Sequence, residues 1–387
     1  MPTPTARVRG CSRSSIRVMF DLAQASSKDL VRLEVGEPDF DTPAHVVDAA
    51  ASAAREGQTH YTSNAGIPAL RRAIASTLDR DFSVPAAPED VLVTTGGMEA
   101  LHLAALSTVG PGEELLVPSP GWPNYWTQAR LADGAPREVP MPAETGFALD
   151  PTRLVEAMGP ETAAVMLCRP SNPTGRVADA DAVRAVVEAA ADHDAYVVAD
   201  EVYLALTYDG DSRGVAALVD DADHVLTVGS CSKSHAMTGW RVGWLTGNPA
   251  VVDEATKVRE STTACTSSVA QHAALAALTG PQEPFREMYA AFEERRDAVV
   301  DRVEDIDGLD CPRPEGAFYA FLDVDLPGTS LDVAKHLLTE YGVVLAPGGG
   351  FGDAGEGRLR LSFANSLDRL HEGFDRIERA LADARGG

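Results

Sequence analysis

Between about residues 90 and 245 the chain alternates short apolar runs with stretches of helical period. The runs are Val91–Thr95, Glu114–Val117, Arg137–Val139, Ala163–Leu167, Ala195–Ala199, Val225–Gly229 and Val242–Leu245. Several carry no polar alternation, the mark of strands covered on both faces in a parallel sheet. Helical stretches such as Asp179–Asp192 lie between them, which predicts a wound α/β domain. Ahead of it, residues 15–24 read as a short amphipathic helix with Ile16, Met19, Phe20 and Ala23 on one face. A short strand at Val31–Val35, a turn-rich loop at Gly36–Pro43 and a helix over Ala44–Arg55 follow. Beyond it, helices over Pro249–Thr262 and Pro284–Glu304 lead to an α+β unit with strands near Ala317–Leu322, Val343–Leu345 and Leu359–Phe363. The expected division is a large domain at 45–275 and a small one made of 1–44 with 276–387. No internal repeat or low-complexity linker interrupts it.

Ligands of open α/β sheets bind outside the carboxyl ends of the strands, so the residues that follow each run are where chemistry is expected. Val225–Gly229 opens into Ser230-Cys231-Ser232-Lys233, with Arg241 eight positions after the lysine. A lysine at the mouth of a buried strand has a depressed pKa, because desolvation and a nearby cation disfavour the ammonium. A neutral amine condenses with an aldehyde, and Ser230, Ser232 and Arg241 offer the hydroxyls and forked cation that a phosphate takes. An aldehyde that carries a phosphate is pyridoxal 5′-phosphate. The segment alone reads equally well as a loop lysine beside a structural arginine.

The other strand ends separate these readings. Ala163–Leu167 leads to Ser171-Asn172-Pro173-Thr174-Gly175, Ala195–Ala199 to Asp200-Glu201-Val202-Tyr203, and Val91–Thr95 to Gly96-Gly97-Met98-Glu99 at the head of a helix. Amides at a helix N-terminus cradle phosphate. An aspartate holds a pyridine nitrogen protonated. Tyr203 and Asn172 can hydrogen-bond a phenolic oxygen, and Trp122 can stack on a ring face. Singly, Asn172 is a turn residue, Asp200 a helix cap and Trp122 a core residue. Their order and spacing together favour one cofactor.

Charge narrows the partners. The 387 residues carry 33 Lys+Arg against 58 Asp+Glu, a net −25. Such a chain repels a phosphate backbone, which excludes nucleic acid. Its lysines are Lys28, Lys233, Lys257 and Lys335. Abundant carboxylates with so little lysine suit a cytoplasm of high salt, where carboxylates stay hydrated; the alternative is an acidic protein of ordinary salt from a GC-rich genome. Cys11, Cys168, Cys231, Cys265 and Cys311 form no C-x-x-C, so neither a disulfide framework nor a zinc site is suggested. The nine histidines show no metal-ligand spacing, and no metal is expected. No apolar run reaches ~18 residues, and Met1-Pro2-Thr3-Pro4-Thr5 lacks the apolar stretch of a signal peptide. A cytoplasmic location without a membrane partner is the expectation.

From about Ser15 to Ala382 the chain resembles the class I/II pyridoxal-phosphate-dependent aminotransferase family, of aspartate-aminotransferase fold type I, and its archaeal members in particular. The resemblance rests on V-G-E-P-D-F-D-T-P at 35–43, Y-T-S-N-A-G at 61–66, S-N-P-T-G at 171–175, D-E-V-Y at 200–203, S-x-S-K at 230–233 with Arg241, and R-L-S-F-A at 360–364. It implies a large domain with a mostly parallel seven-stranded sheet between helices, a smaller α+β domain, pyridoxal 5′-phosphate as cofactor, and a homodimer with shared active sites. Lys233 would hold the cofactor covalently and then carry the proton between substrate Cα and cofactor C4′. Asp200 would pair with the pyridinium, and Tyr203 and Asn172 with O3′. Ser230, Ser232, Arg241 and the Gly97 and Met98 amides would hold the phosphate, reached also by Tyr61 of the neighbouring subunit. Arg360 would clamp the substrate α-carboxylate, helped by the Gly36 backbone; without the family it reads as a surface strand arginine.

One position departs from the pattern. Some bacterial aspartate aminotransferases of this subgroup carry a lysine where Met98 stands and use it to recognise acidic side chains. Methionine cannot do that, so an acidic preference rests elsewhere, with Arg17 in Ser14-Ser15-Ile16-Arg17 the candidate, or is absent. The expected reaction passes the amino group of an L-amino acid (aspartate, or a broad, neutral or aromatic range) to 2-oxoglutarate by a ping-pong exchange. The same motifs suit a β-lyase, a racemase or an aminocyclopropane-carboxylate synthase type. Aminotransferase-like domains also occur fused to helix-turn-helix regulators; the short stretch ahead of Val35 and the acidic charge speak against that reading.

Overall fold

The central apolar runs join in a single seven-stranded sheet, and the way its strands connect decides where the cleft opens. The computed structural model describes residues 3–11 and 15–386; Met1, Pro2 and Ser14, quoted above, lie outside them. In chain order the strands are β1 (Val31–Arg32), β2 (Val91–Thr94), β3 (Glu114–Ser119), β4 (Ala135–Pro140), β5 (Thr162–Cys168), β6 (Tyr196–Asp200), β7 (Val225–Ser230), β8 (Gly243–Gly247), β9 (Leu309–Asp310), β10 (Tyr319–Val324), β11 (Val343–Val344), β12 (Ala346–Pro347) and β13 (Arg358–Ser362). The large sheet runs β2-β8-β7-β6-β5-β3-β4. It is parallel except for β8, which lies antiparallel to both neighbours. A parallel crossover needs a dozen or more residues and usually a long helix. The link from β7 to β8 holds only a one-turn helix, Cys231–Ser234, and the 3-10 turn Thr238–Trp240, so the chain doubles straight back.

Both faces of this sheet are covered, as the unbroken apolar runs require. Val198, Leu226 and Val228 pack on one side with Leu101 and Ala104 of the helix Gly97–Thr108. Val197, Ala199 and Val225 pack on the other with Val183, Val186 and Val187 of the helix Ala180–Asp192. That helix starts one residue later than expected because Asp179 is its cap, accepting from the Asp181 and Ala182 amides.

The second unit is a four-stranded antiparallel sheet, β12-β13-β10-β9. Beside it β1 pairs in parallel with β11, Val31 opposite Val343. The N-terminal segment therefore packs with the C-terminal half, in one core that holds Met19, Val31, Phe292, Phe318, Leu337 and Phe374. Two expected strands are shorter than their apolar runs. Residues 33–35 leave β1, with the Leu33 carbonyl accepting from Ser362 N and the Glu34 carbonyl from Arg360. The run at 343–345 breaks at Leu345, where the chain passes from β11 to β12 and so changes sheets. The helix Ser15–Ala25 matches its expected face, with a division of labour: Met19 and Ala23 are buried, while Ile16 and Phe20 line a cleft. Among the described residues no helix is long and apolar enough to cross a membrane.

Candidate active site

A cleft of about 450 Å³ opens where the carboxyl ends of β5, β6 and β7 meet the second unit. Except for Tyr61, all the site residues singled out in the sequence line it. Tyr61 stands 90% exposed on the protomer surface.

Lys233 sits on the one-turn helix after β7, whose N-terminus is capped by Ser230 Oγ accepting from Ser232 N. Its Nζ donates to the Gly36 carbonyl at 2.5 Å, across the cleft. Burial brings its pKa down to about 8; the nearby Glu37 opposes this, and Arg360 and Arg241 add to it. Asp200 ends β6, 2% exposed. Its Oδ2 accepts from the Tyr125 hydroxyl at 2.6 Å, and Oδ1 from Val202 N at 3.4 Å. Burial pushes the carboxyl up to about 6, against the pull of those two donors and of Lys233. A buried carboxylate in this position calls for a cation, which a protonated ring nitrogen would supply.

Arg360 is no surface arginine. It is 3% exposed, and its guanidinium carbon lies 4.3 Å from the centroid of the Tyr319 ring. Nη1 donates to Asn172 Oδ1 at 3.0 Å and Nη2 to the Glu34 carbonyl at 2.7 Å. Its Nε is buried without a partner among the described residues, a spare donor on a guanidinium that lines the cleft. Tyr203 is buried with its hydroxyl 2.8 Å from that of Tyr319, and burial holds its pKa well above the usual phenol value.

Opposite Asn172 and Arg360 the cleft is built for an anion. The helix Gly97–Thr108 points its N-terminus into it, beside Met98. Gly96 has φ +77, and a Cβ there would stand 2.5 Å from Arg241 Nη2; only glycine lets the loop and the guanidinium approach so closely. Ser230 Oγ lies 2.9 Å from Ser232 Oγ and from the Val242 carbonyl. Trp122 lines the same side, edge-on to Tyr125 with centroids 5.6 Å apart. Met98 Sδ accepts from Gln128 Nε2 at 3.3 Å. An amine near neutrality, a buried carboxylate, a cationic anion cradle and a spare guanidinium donor together fit a phosphorylated pyridine aldehyde with an amino-acid substrate.

Two residues of the site had no role in the sequence reading, Tyr125 and Tyr319. Tyr125 follows Trp122 by three positions, in the turn that opens the helix Asn124–Leu131, and its closeness to Trp122 is the signal that could have placed it. Tyr319 begins β10 in an apolar run, where nothing separates a site phenol from a core one.

A model of the family described as aminotransferase class I and II matches residues 28–377. The aspartate aminotransferase of Bacillus subtilis (strain 168) is 36% identical over 364 residues, 92% of each chain. That of Pyrococcus horikoshii is 35% identical over 378 residues, 97% of this chain and 96% of its own. The solved structure of the Thermus thermophilus aspartate aminotransferase with maleate superposes with a TM-score of 0.93 at 36% identity, over 98% of this chain and 100% of the other.

Proposed function

This chain belongs to the class I and II aminotransferases, and we propose that it passes the amino group of an L-amino acid, aspartate first, to 2-oxoglutarate in a two-step ping-pong exchange. It is a pyridoxal-phosphate-dependent transaminase of fold type I. The relatives named aspartate aminotransferase support aspartate as donor. The observation that carries the reading is the convergence of Lys233, Asp200 and Arg360 on one cleft.

Bound there, the cofactor supplies a carbonyl that condenses with amines and a ring that takes up the electron pair released at Cα. Lys233 anchors it and carries the proton between Cα and C4′, a task suited to an amine whose pKa is brought down to about 8. Asp200 holds the ring nitrogen protonated, and Tyr203 and Asn172 orient O3′. Ser230, Ser232, Arg241 and the Gly97 and Met98 amides bind the phosphate, and Trp122 covers the ring. Arg360 binds the α-carboxylate, with Asn172 and the Gly36 backbone beside it; its partnerless Nε supports this. Tyr61, exposed on its own protomer, completes the phosphate site of a second copy in a homodimer. The large domain comprises 45–275 and the small one 1–44 with 276–387. The working environment is a cytoplasm of high salt.

The test is a panel of amino donors with 2-oxoglutarate, run at low and at molar salt. Amino transfer that depends on the keto acid, with aspartate the best donor, is the expected result. Turnover of an amino acid with no keto acid present would point to a lyase or racemase instead.

A further inference from the structure

Tyr319 touches two residues to which the reading above gives tasks and has no task of its own. It begins β10, buried, and lines the cleft. The Arg360 guanidinium lies over the face of its ring, 4.3 Å from the centroid. The far end of the same ring puts its hydroxyl 2.8 Å from that of Tyr203. Gly36 closes over this hydroxyl: a Cβ there would collide with Tyr319 Oη. Among the described residues neither phenol has a second hydrogen-bond partner.

A hydrogen bond between two phenols can run either way, and the surroundings choose its direction. A cation over the face of a phenol draws on its ring charge and makes its O–H the stronger donor. Tyr319 has Arg360 in that position. The Tyr203 ring has aromatic neighbours instead, Phe318 and Tyr319, with centroids at 5.5 and 5.6 Å. Burial raises both phenols, Tyr203 well above the usual value; at Tyr319 the facing Arg360 is the first influence against it. The proton between the two oxygens therefore belongs to Tyr319, and Tyr203 accepts. An O–H that accepts a bond becomes a better donor in turn, and the Tyr203 hydrogen is left for the cleft.

We propose that Tyr319 is the positioning residue of Tyr203: its hydroxyl donates to Tyr203 Oη, turns the Tyr203 hydrogen toward the cofactor O3′ and strengthens it as a donor. The same ring lies under Arg360, so the group that faces the substrate carboxylate and the group that faces the ring oxygen meet on one side chain. This deepens the transaminase reading and rests on it.

The test reads the visible absorbance of the holoenzyme against pH. The proton on the nitrogen that joins Lys233 to the cofactor is shared with O3′. A weaker Tyr203 donor leaves O3′ holding that proton more tightly, so the midpoint of the absorbance change moves up. In Tyr319→Phe it should rise by a few tenths of a unit to about one unit, the part of one hydrogen bond that reaches the next. In Tyr203→Phe it should rise further. The double variant Tyr203→Phe/Tyr319→Phe should match Tyr203→Phe, because nothing is left for Tyr319 to act through. A midpoint in Tyr319→Phe within about 0.1 unit of wild type, or the same shift with and without the Tyr203 hydroxyl, would overturn the assignment. A protein that takes up no pyridoxal phosphate would overturn both readings. The expected pattern of shifts in a holoenzyme that transaminates no donor would uphold the role of Tyr319 and sink the transaminase reading instead.

Discussion

Asp200 depends for its charge on a neighbour with which it shares no motif. The Tyr125 hydroxyl donates to Oδ2 at 2.6 Å in a fully buried setting, and that donor is the largest single influence holding the carboxyl down against burial. Removing it raises the pKa above its value of about 6. The protonated, uncharged form then persists to higher pH, so Tyr125→Phe should shift the acidic limb of the kcat/KM profile upward with little change in fold. A profile superimposable on the wild type would show that Tyr125 does not set the charge of Asp200. The residue scale also shows what a sequence can carry. Lys233, Asp200 and Asn172 stand at strand ends, where topology alone aims them at one rim. Arg360 and Tyr319 lie inside strands, where side-chain direction and burial depend on which sheet each strand joins. The first group was readable from the chain; of the second, Arg360 was placed only through the family pattern and Tyr319 was not placed.

At the scale of elements, the anion cradle is held by three adjacent strands, β2, β8 and β7. β8 runs between the other two, and Gly243 begins it under the cradle loop. A Cβ on Gly243 would stand 2.6 Å from Gly96 C and Gly97 N and 2.8 Å from Gly229 O, all backbone atoms that cannot swing aside. Gly243→Ala should therefore lower stability by about 1–3 kcal/mol, as overpacking does. It should also weaken cofactor binding, because the displaced amide belongs to the cradle. Thermal unfolding of the cofactor-free protein and a cofactor titration check both; no change in either would mean that the loop yields freely. Element existence was legible where period and burial agree, as in Pro249–Thr262, which the structure reproduces residue for residue. The helix Ser268–Thr279 was not announced by its sequence. Small residues cover it on all sides and Gln271 is buried, so no apolar stripe contrasts with a polar one.

For the molecule as a whole, the excess of negative charge sets the terms. Arginines carry almost all the ion pairs among the described residues, as Arg302 does with Asp375 and Glu378; Lys257 is the one lysine that forms them. Salt weakens these pairs, but exposed pairs are worth only ~0–1 kcal/mol each. It also weakens the mutual repulsion of a subunit at −25, and in a dimer that repulsion is larger still. The screening length falls from ~30 Å at 0.01 M to ~3 Å at 1 M, so relief of repulsion outweighs loss of pairs. The melting temperature and activity should rise with KCl from millimolar to molar. A melting temperature that stays flat or falls would refute adaptation to high salt and leave the chemistry of the site as it is.

The hydrogen bonds that close the cleft also join parts of the chain far apart in sequence. Lys233 reaches back 197 residues to Gly36, and Arg360 reaches back 326 to Glu34. Contacts of such separation form late in folding, because the intervening loop must first be closed. On a ribosome the sheet that presents Lys233 can assemble while the partner of Glu34 is still unmade. Until β13 has emerged, the pocket lacks Arg360, although Gly36, the partner of Lys233, is already made. The residues assigned to the cofactor all precede β8, whereas the arginine assigned to the substrate stands in the last strand, so a chain ended before β13 would keep the cofactor's residues and lack the one that grips the α-carboxylate.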